Sequence, residues 1–334
     1  MPNRTKKTEQ AYRERALRII AAENAAAGRK LSPIELAKAV AMKKLAPSTH
    51  RQNRAALIFT MIEGAVIRPI RGPVLQKAIA LLRGRPAQQE GSSDGGLRTS
   101  QQKQKTGVED DIERICYAAL AADGDNATTL VAAIECGALT GARLTEWPSA
   151  VFGPSVVPGY AWQLTLSNGK HGNGRAHGET RTLLFESLSD DLVLQMNHWI
   201  AVARAAAEDQ SYDTLLDTLE AFMRRLTKEL FPRRKKRPTL SSMRHAAAAR
   251  FKATYVVPAA TEEEKLHGLA IVAALLGHAS DATASTHYAR PREGKSRFPV
   301  PAPLPAEVAR IRQRYSQPRR PSRSGPGTDG PPAR

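Results

Sequence analysis

Residues 85–107 constrain the fold of this 334-residue chain more than any other stretch, because they contain almost nothing that a protein core can bury. The stretch is rich in Gln, Gly, Ser and Lys, and Leu97 is its only large apolar residue. Such a composition is typical of a flexible, solvated linker. The sequence therefore predicts two domains, which also suits the chain length at roughly 150 residues per domain.

The segment before the linker, residues 8–84, is predicted to form a bundle of four helices. Its first apolar residues recur at helical spacing, which is typical of an amphipathic helix. Ser32 and Glu35 have the spacing of a capping box, which predicts the start of the second helix. Ser48 and Gly64 are expected to begin and end the third helix.

The segment after the linker, residues 108–300, is predicted to be a second, mainly helical domain. Between Trp162 and Phe185 the apolar residues alternate with polar ones on both sides of a Gly/Asn-rich stretch, which predicts a β-hairpin with a long tip. The expected fold class is mainly α with a small β-hairpin or sheet (α+β). Helices are predicted up to Gly137 and again at 189–206, 211–231, 242–255 and 262–276. Residues 301–334 are rich in Pro and Arg and are predicted to be a largely disordered tail, apart from a short helix near 308–315.

Charge favours a polyanionic partner, with nucleic acid ahead of a membrane surface, because 50 Lys and Arg against 32 Asp and Glu give a net charge of +18. Residues 224–237 hold eight of these cations against Glu229 alone. We expect DNA phosphate contacts from this segment, although a solvated loop would have the same composition. The residues expected to contact DNA there are Arg233, Arg234, Lys235, Lys236 and Arg237, and those expected in the helical bundle are Thr49, His50, Arg51 and Arg54.

Several classes of protein do not fit this sequence. There is no apolar run of the roughly 18 to 20 residues that a membrane span needs, and no signal peptide is visible. Cys116 and Cys136 are too few for a disulfide framework or a four-ligand zinc site. We therefore expect a cytoplasmic protein that uses neither a metal nor a cofactor.

Five positions in the second domain have side chains suited to chemistry on a phosphodiester. Each also has an ordinary structural interpretation, such as a surface ion pair, a solubilising lysine or a helix cap. The positions are Arg143 in Thr140-Gly-Ala-Arg-Leu-Thr-Glu146, Lys170 on the hairpin, Arg244 after Ser241 and before His245, His278 in Leu276-Gly-His, and Tyr288 ten residues later.

Taken in order, these positions resemble the tyrosine recombinase (phage integrase) family over roughly residues 107–295. The family pattern is an Arg in a T-G-x-R-x-x-E turn, a hairpin Lys, H-x-x-R-H, L-G-H and a Tyr about ten residues on. Ser241 departs from this pattern, because the family has a His there. The resemblance implies that residues 108–300 are the catalytic domain and that residues 8–84, which are less similar, are a core-binding domain on the opposite side of the DNA. It also implies a homotetramer on paired recombination sites in double-stranded DNA.

The resemblance implies a role for each matched residue, and the chemistry of the side chains agrees. Arg143 and Arg244 would bind the phosphate and stabilise the transition state, because guanidinium groups are permanently charged and donate bidentately. Tyr288 would be the nucleophile that forms a 3′-phosphotyrosyl link. Lys170 would give a proton to the leaving 5′ oxygen, and His278 would contact the phosphate or accept the tyrosine proton.

Ser241 leaves a second function open. A hydroxyl can donate one hydrogen bond but cannot replace a titrating imidazole, so the chain could be a regulatory or architectural DNA-binding protein of the same fold with little or no recombinase activity. A third interpretation, topoisomerase-like relaxation without partner sites, shares the chemistry and differs only in assembly. His245 is expected to contact DNA.

Overall fold

The structure describes most of the chain, but several of the residues predicted from the sequence lie outside the described part. The computed structural model describes residues 6–43, 45, 47–84, 104, 108–122, 124–169, 176, 178–278 and 296–316. Lys170, Tyr288 and nearly all of the predicted linker lie outside these residues. The chain separates into two units, Met1–Gln102 and Lys103–Arg334. The described elements are mostly helical with a small antiparallel sheet, which confirms the expected fold class at that level.

The first unit packs its helices around a core of aliphatic and small side chains. Its helices are α1 (Lys6–Ala27), α2 (Pro33–Met42), α3 (Pro47–Ile67) and α4 (Gly72–Arg83). Ala16, Leu57 and Leu82 are buried in this core. The capping box is confirmed, because the backbone N–H of Glu35 donates to Ser32 Oγ and the Ser32 N–H donates to Glu35 Oε2. The predicted start of the second helix therefore follows from local hydrogen bonding.

The third helix differs from the prediction at both ends. It begins at Pro47, because proline suits the first turn of a helix, and Ser48 lies inside that turn. It continues through Gly64 to Ile67, and Pro69 follows after an Arg68 whose backbone has left the helical region. Proline therefore bounds this helix, rather than the serine and glycine that we expected.

The second unit surrounds a central helix with further helices. Its helices are α5 (Glu109–Ala121), α6 (Ala127–Thr140), α7 (Asp190–Glu208), α8 (Tyr212–Leu230), α9 (Met243–Tyr255), α10 (Glu262–Leu275) and α11 (Pro305–Ser316). Helix α6 is the central one, because 12 of its 14 residues are buried. The four helices predicted after the hairpin are confirmed to within about two residues at each end.

The sheet contains the predicted hairpin and two strands that were not predicted. Strands β2 (Trp162–Ser167) and β3 (Thr180–Phe185) are antiparallel. In their register Trp162 is paired with Phe185 and Ser167 with Thr180. Strand β1 (Val151–Pro154) pairs with β2, and β4 (Ala302–Pro303) pairs with β3, so the order is β1-β2-β3-β4. The residues of the tip that the structure leaves out are 170–175 and 177.

Residues 301–316, the first part of the predicted tail, are folded, and the short helix expected near 308–315 is confirmed within α11. They contain β4 and helix α11, and Val308 and Ile311 are buried in the main core of the second unit. These two residues lie three positions apart on one face of α11, which explains why a segment rich in Pro and Arg still packs. The rest of the predicted tail, 317–334, lies outside the described residues.

The sequence predicted that no segment of the chain spans a membrane. Among the residues that the structure covers, no helix is both long and apolar enough to cross a bilayer.

Candidate active site

Arg143 lies in a tight turn between α6 and a short 3-10 helix (Leu144–Ser149), as predicted. Gly141 caps α6 with a φ of 64°, a left-handed conformation that glycine adopts without strain. The Arg143 backbone N–H donates to Glu146 Oε2 at 2.7 Å, and its Nη1 donates to Oε1 at 2.6 Å. The side chain is 19% exposed, and its Nε and Nη2 groups have no hydrogen-bond partner among the described residues. Arg143 is thus oriented by Glu146 and still accessible.

Arg244, at the start of α9, connects the ends of two other helices. Its Nη1 donates to the carbonyl of Gly141, and its Nη2 donates to the carbonyl of Leu276 at 2.6 Å. These carbonyls end α6 and α10, where backbone oxygens lack partners within the helix and the helix dipole is negative. One guanidinium therefore fixes the Arg143 turn relative to the turn that contains His278.

His278 is placed by the Leu-Gly-His turn at the end of α10. Gly277, with a φ of 64°, donates its N–H to the Ala274 carbonyl at 2.9 Å, and the His278 N–H donates to the Ala273 carbonyl at 2.8 Å. This pair of bonds is the Schellman motif, and it requires a left-handed residue where Gly277 stands. The motif brings His278 Nε2 to 3.1 Å from Arg244 Nη2.

The His278 imidazole is neutral at physiological pH. It is 4% exposed, and burial, followed by the charges of Arg244, Arg143 and Arg181, lowers its pKa to about 2. A neutral ring that accepts a hydrogen bond from Arg244 at Nε2 has its proton on Nδ1. In this state the ring can act as a hydrogen-bond donor but has little tendency to take up a proton.

Glu146 is a buried carboxylate that gathers donors from separate parts of the second unit. Besides Arg143, it accepts the Gly169 N–H at 3.2 Å and Arg181 Nη2 at 2.6 Å. Burial by itself raises the pKa of a carboxyl, but the guanidiniums of Arg181, Arg143 and Arg244 overcome it and hold the pKa of Glu146 well below its usual range. Glu146 is therefore ionised and compensated.

Arg181, which the sequence reasoning missed, is the other half of this network. It lies on β3 and is fully buried, although arginine is rarely buried without a partner. Its Nη1 donates to Asn168 Oδ1 at 2.6 Å, and its Nε donates to the Leu275 carbonyl at 3.0 Å. The sequence did contain one indication of a buried arginine, because Arg181 lies within the alternating pattern that predicts a half-buried strand.

We call the connected group of Arg143, Glu146, Arg181, Arg244 and His278 the pocket. The other predicted site residues are less closely connected to it. Ser241 lies in a short turn one helical turn before Arg244, and its Oγ is 3.1 Å from Thr239 Oγ1. His245 is half-buried, directly after Arg244. Lys170 and Tyr288 lie outside the described residues, although Lys170 directly follows Gly169 in the chain.

Two of the five predicted DNA contacts in the basic segment also bind the protein itself. Arg234 Nη1 lies 2.5 Å from Asp111 Oδ2, and its guanidinium stacks over the Phe231 ring at 4.2 Å. Arg237 donates to the carbonyls of Phe231 and Pro232, both at 3.1 Å. These two arginines are bound to the protein, although the Arg234 side chain is still 42% exposed, and Arg233, Lys235 and Lys236 are exposed as well.

The predicted DNA contacts of the helical bundle divide in the same way. Thr49 and Arg51 are exposed on the first turns of α3. His50 Nε2 lies 3.1 Å from the Val40 carbonyl, and Arg54 donates to the carbonyl of the residue that caps α4, at 2.9 Å. The last two therefore also stabilise the bundle.

Comparison with known proteins adds no family assignment. The chain matches no protein-family model and no curated protein sequence. Within the described residues, no group of three or more His, Cys, Asp or Glu side chains is arranged to hold a metal ion.

Proposed function

We propose that this chain is a DNA strand-transfer enzyme of the tyrosine recombinase type, which cleaves and rejoins duplex DNA through a 3′-phosphotyrosyl intermediate. The observation that carries the proposal is the Arg244 guanidinium, which donates to the turn beside Arg143 and also contacts His278. Arg143, Arg244 and His278 come from motifs that are far apart in sequence. They nevertheless lie together in one pocket.

The charge of the pocket supports a phosphodiester as the ligand. Arg143, Arg181 and Arg244 bring three positive charges against the single negative charge of Glu146, and His278 is neutral, so the pocket carries a net charge of +2. Attack on a phosphodiester adds negative charge to its non-bridging oxygens. Fixed guanidiniums stabilise that charge without reorganising, which lowers the barrier.

In the proposed step the phenolic oxygen of Tyr288 forms a bond to phosphorus, and the bond from phosphorus to the 5′ oxygen breaks. Lys170 gives a proton to the departing 5′ oxygen, and the phenolic proton leaves to solvent. Rejoining is the reverse of these steps, with a 5′ hydroxyl as the nucleophile. No metal or cofactor enters this scheme.

For His278, two roles were left open by the sequence, and the geometry favours one of them. A ring whose pKa is lowered to about 2 and whose Nε2 faces the Arg244 guanidinium is a poor acceptor for the tyrosine proton. We therefore propose that His278 contacts the phosphate rather than accepting the tyrosine proton.

The proposed partner is double-stranded DNA with specific recombination sites, bound by a homotetramer in the cytoplasm. Supporting observations are the net charge of +18 and the exposed cations of the basic segment next to α9. Such cations fix the register of a protein on DNA without reading its bases.

The test is a suicide DNA substrate, nicked so that the cleaved end diffuses away and the covalent adduct accumulates. We expect the wild-type protein to give an adduct and Tyr288→Phe to give none while its affinity for DNA is unchanged. Tyr117→Phe, at an exposed position of α5, is the matched control and should form the adduct normally. An adduct from the Tyr288→Phe protein would remove Tyr288 from the nucleophile role.

A second candidate, a regulatory or architectural DNA-binding protein of the same fold, is favoured only by Ser241. It predicts tight DNA binding with no adduct from the wild-type protein, so the same experiment separates the two functions. Ser241→His should preserve or raise adduct formation if the serine is a tolerated variation.

A further inference from the structure

Arg181 joins three segments that the proposed reaction must hold together. Its guanidinium donates to Glu146 beside Arg143, to Asn168 at the end of β2, and to the carbonyl of Leu275 just before the turn that contains His278. The three distances are 2.6, 2.6 and 3.0 Å. A fully buried guanidinium is costly to desolvate, and here its bonds compensate for that cost.

We call Arg181 and its three acceptors the Arg181 centre. The base of the hairpin is attached to this centre through further hydrogen bonds. The Asn168 side chain donates to the Gly178 carbonyl at 3.0 Å, across the hairpin, while its Oδ1 accepts from Arg181. The Gly169 N–H donates to Glu146, whose other oxygen accepts from Arg181. Lys170 is the next residue in the chain, so this network fixes the backbone up to the residue before Lys170.

The centre is too closely packed to tolerate a shift. A Cβ on Gly277 would lie 2.1 Å from Asn168 Oδ1 and 2.8 Å from Arg181 Nη1. The turn that contains His278 therefore lies directly against the base of the hairpin, and close-packed interiors transmit small displacements.

We propose that Arg181 is a positioning residue for the proposed general acid Lys170, because it fixes the base of the hairpin, Asn168 and Gly169, against the turns that contain Arg143 and His278. The inference rests on the proposed function and adds to it a residue that lies outside the recombinase pattern quoted above. Arg181 acts through Glu146 and Asn168 and does not itself touch DNA.

Arginine is required for this role because of its shape. The N–H groups of its planar guanidinium point in fixed directions and donate to three acceptors, whereas a lysine has one ammonium group at the end of a flexible chain. Arg181→Lys keeps the positive charge but cannot reach all three acceptors at once, so it tests geometry rather than charge.

The experiment compares cleavage of two suicide substrates by Arg181→Lys under single-turnover conditions. One substrate is ordinary DNA, and the other has sulfur in place of the bridging 5′ oxygen, so its leaving thiolate needs no proton. We expect a loss of about 100-fold on ordinary DNA, as for a catalytic group misplaced by 1 Å, and a loss of less than about tenfold on the sulfur substrate. The Kd for DNA should change by less than about threefold.

The matched control is Arg250→Lys, because Arg250 is also buried and donates to the Ala138 and Leu139 carbonyls instead of the hairpin. Any loss in this variant should be the same on both substrates. A loss in Arg181→Lys that is also equal on both substrates would overturn the inference and leave the proposed function intact. A wild-type protein that forms no adduct with either substrate would overturn both.

A second variant covers the case in which Arg181→Lys does not fold. Asn168→Ala removes the bond to Arg181 and the bond to the Gly178 carbonyl while keeping Arg181 itself, and it should show the same preferential recovery on the sulfur substrate. In the DNA-free protein, amide exchange at Gly169 should rise in Asn168→Ala relative to the wild type and stay unchanged in Arg250→Lys. Unchanged exchange at Gly169 would contradict the proposed positioning role.

Discussion

Two sets of cations in the second unit show how differently the same residue types are used. Arg143, Arg181 and Arg244 are at least partly buried, and each donates to named oxygens of the protein. The second set, Arg233, Lys235 and Lys236 in the basic segment, is exposed. The first set is held in fixed positions, as the proposed catalysis requires, and the second set supplies positive charge that does not depend on exact placement.

The energetics of the two sets differ accordingly. Removing one partner of a buried ion pair leaves a charge uncompensated and typically costs about 3 to 5 kcal/mol, whereas an exposed pair contributes about 0 to 1 kcal/mol. Substitutions in the pocket should therefore change reaction rates and stability. Substitutions of the exposed cations Arg233, Lys235 and Lys236 should change only the affinity for DNA and its dependence on salt.

The largest effect is expected from Arg244→Ala. Loss of one fixed donor to a developing oxyanion costs about 10²- to 10³-fold in rate, and this variant also leaves the carbonyls of Gly141 and Leu276 without their donor. We expect single-turnover cleavage to fall by at least that factor while DNA binding persists. Arg233→Ala is the control from the exposed set, and at saturating DNA it should cleave at the wild-type rate. Equal rates for the two variants would remove the distinction between the sets.

Within the pocket, some structures could be predicted from the sequence and others could not. The Arg143 turn and the Leu-Gly-His turn are local structures, since a left-handed glycine and nearby hydrogen bonds determine each of them. Arg181 could not be predicted in the same way. Its partners Glu146 and Leu275 lie 35 and 94 residues away in sequence, and no local pattern indicates such a pairing.

The short strands and the C-terminal helix show the same limit. Strand β1 reads Val-Phe-Gly-Pro and β4 reads Ala-Pro, and neither shows the alternation that identified β2 and β3. Each forms because the neighbouring strand offers a free edge. Composition predicted a largely disordered tail with only a short helix near 308–315, whereas α11 begins at Pro305 and packs Val308 and Ile311 into the core.

A smaller effect, on stability, is expected from the pH dependence of the pocket. The pKa of His278 is lowered from its usual 6.5 to about 2 in the folded protein, so below pH 6.5 the unfolded chain binds a proton that the folded chain does not. The stabilising contribution is complete above pH 6.5 and is lost as the pH falls toward 2. His278→Gln lacks this term, so the difference in unfolding free energy between wild type and variant should shrink by about 1 kcal/mol from pH 7 to 5.5. Parallel curves from urea unfolding would contradict a neutral, buried His278.

The smallest effect on catalysis is expected from replacing the exposed set itself. Arg233, Lys235 and Lys236 changed together to Ser should weaken DNA binding and lower the salt slope of log Kd by about 0.9 for each phosphate that these side chains neutralise in the wild type. Cleavage at saturating DNA should keep the wild-type rate, since none of these side chains is bound into the pocket. Arg234→Ser provides the contrast within the same loop, because it removes the partner of buried Asp111 and should lower stability. If the triple variant instead cleaved more slowly at saturation, the basic segment would belong to the catalytic machinery and the two sets of cations would act as one.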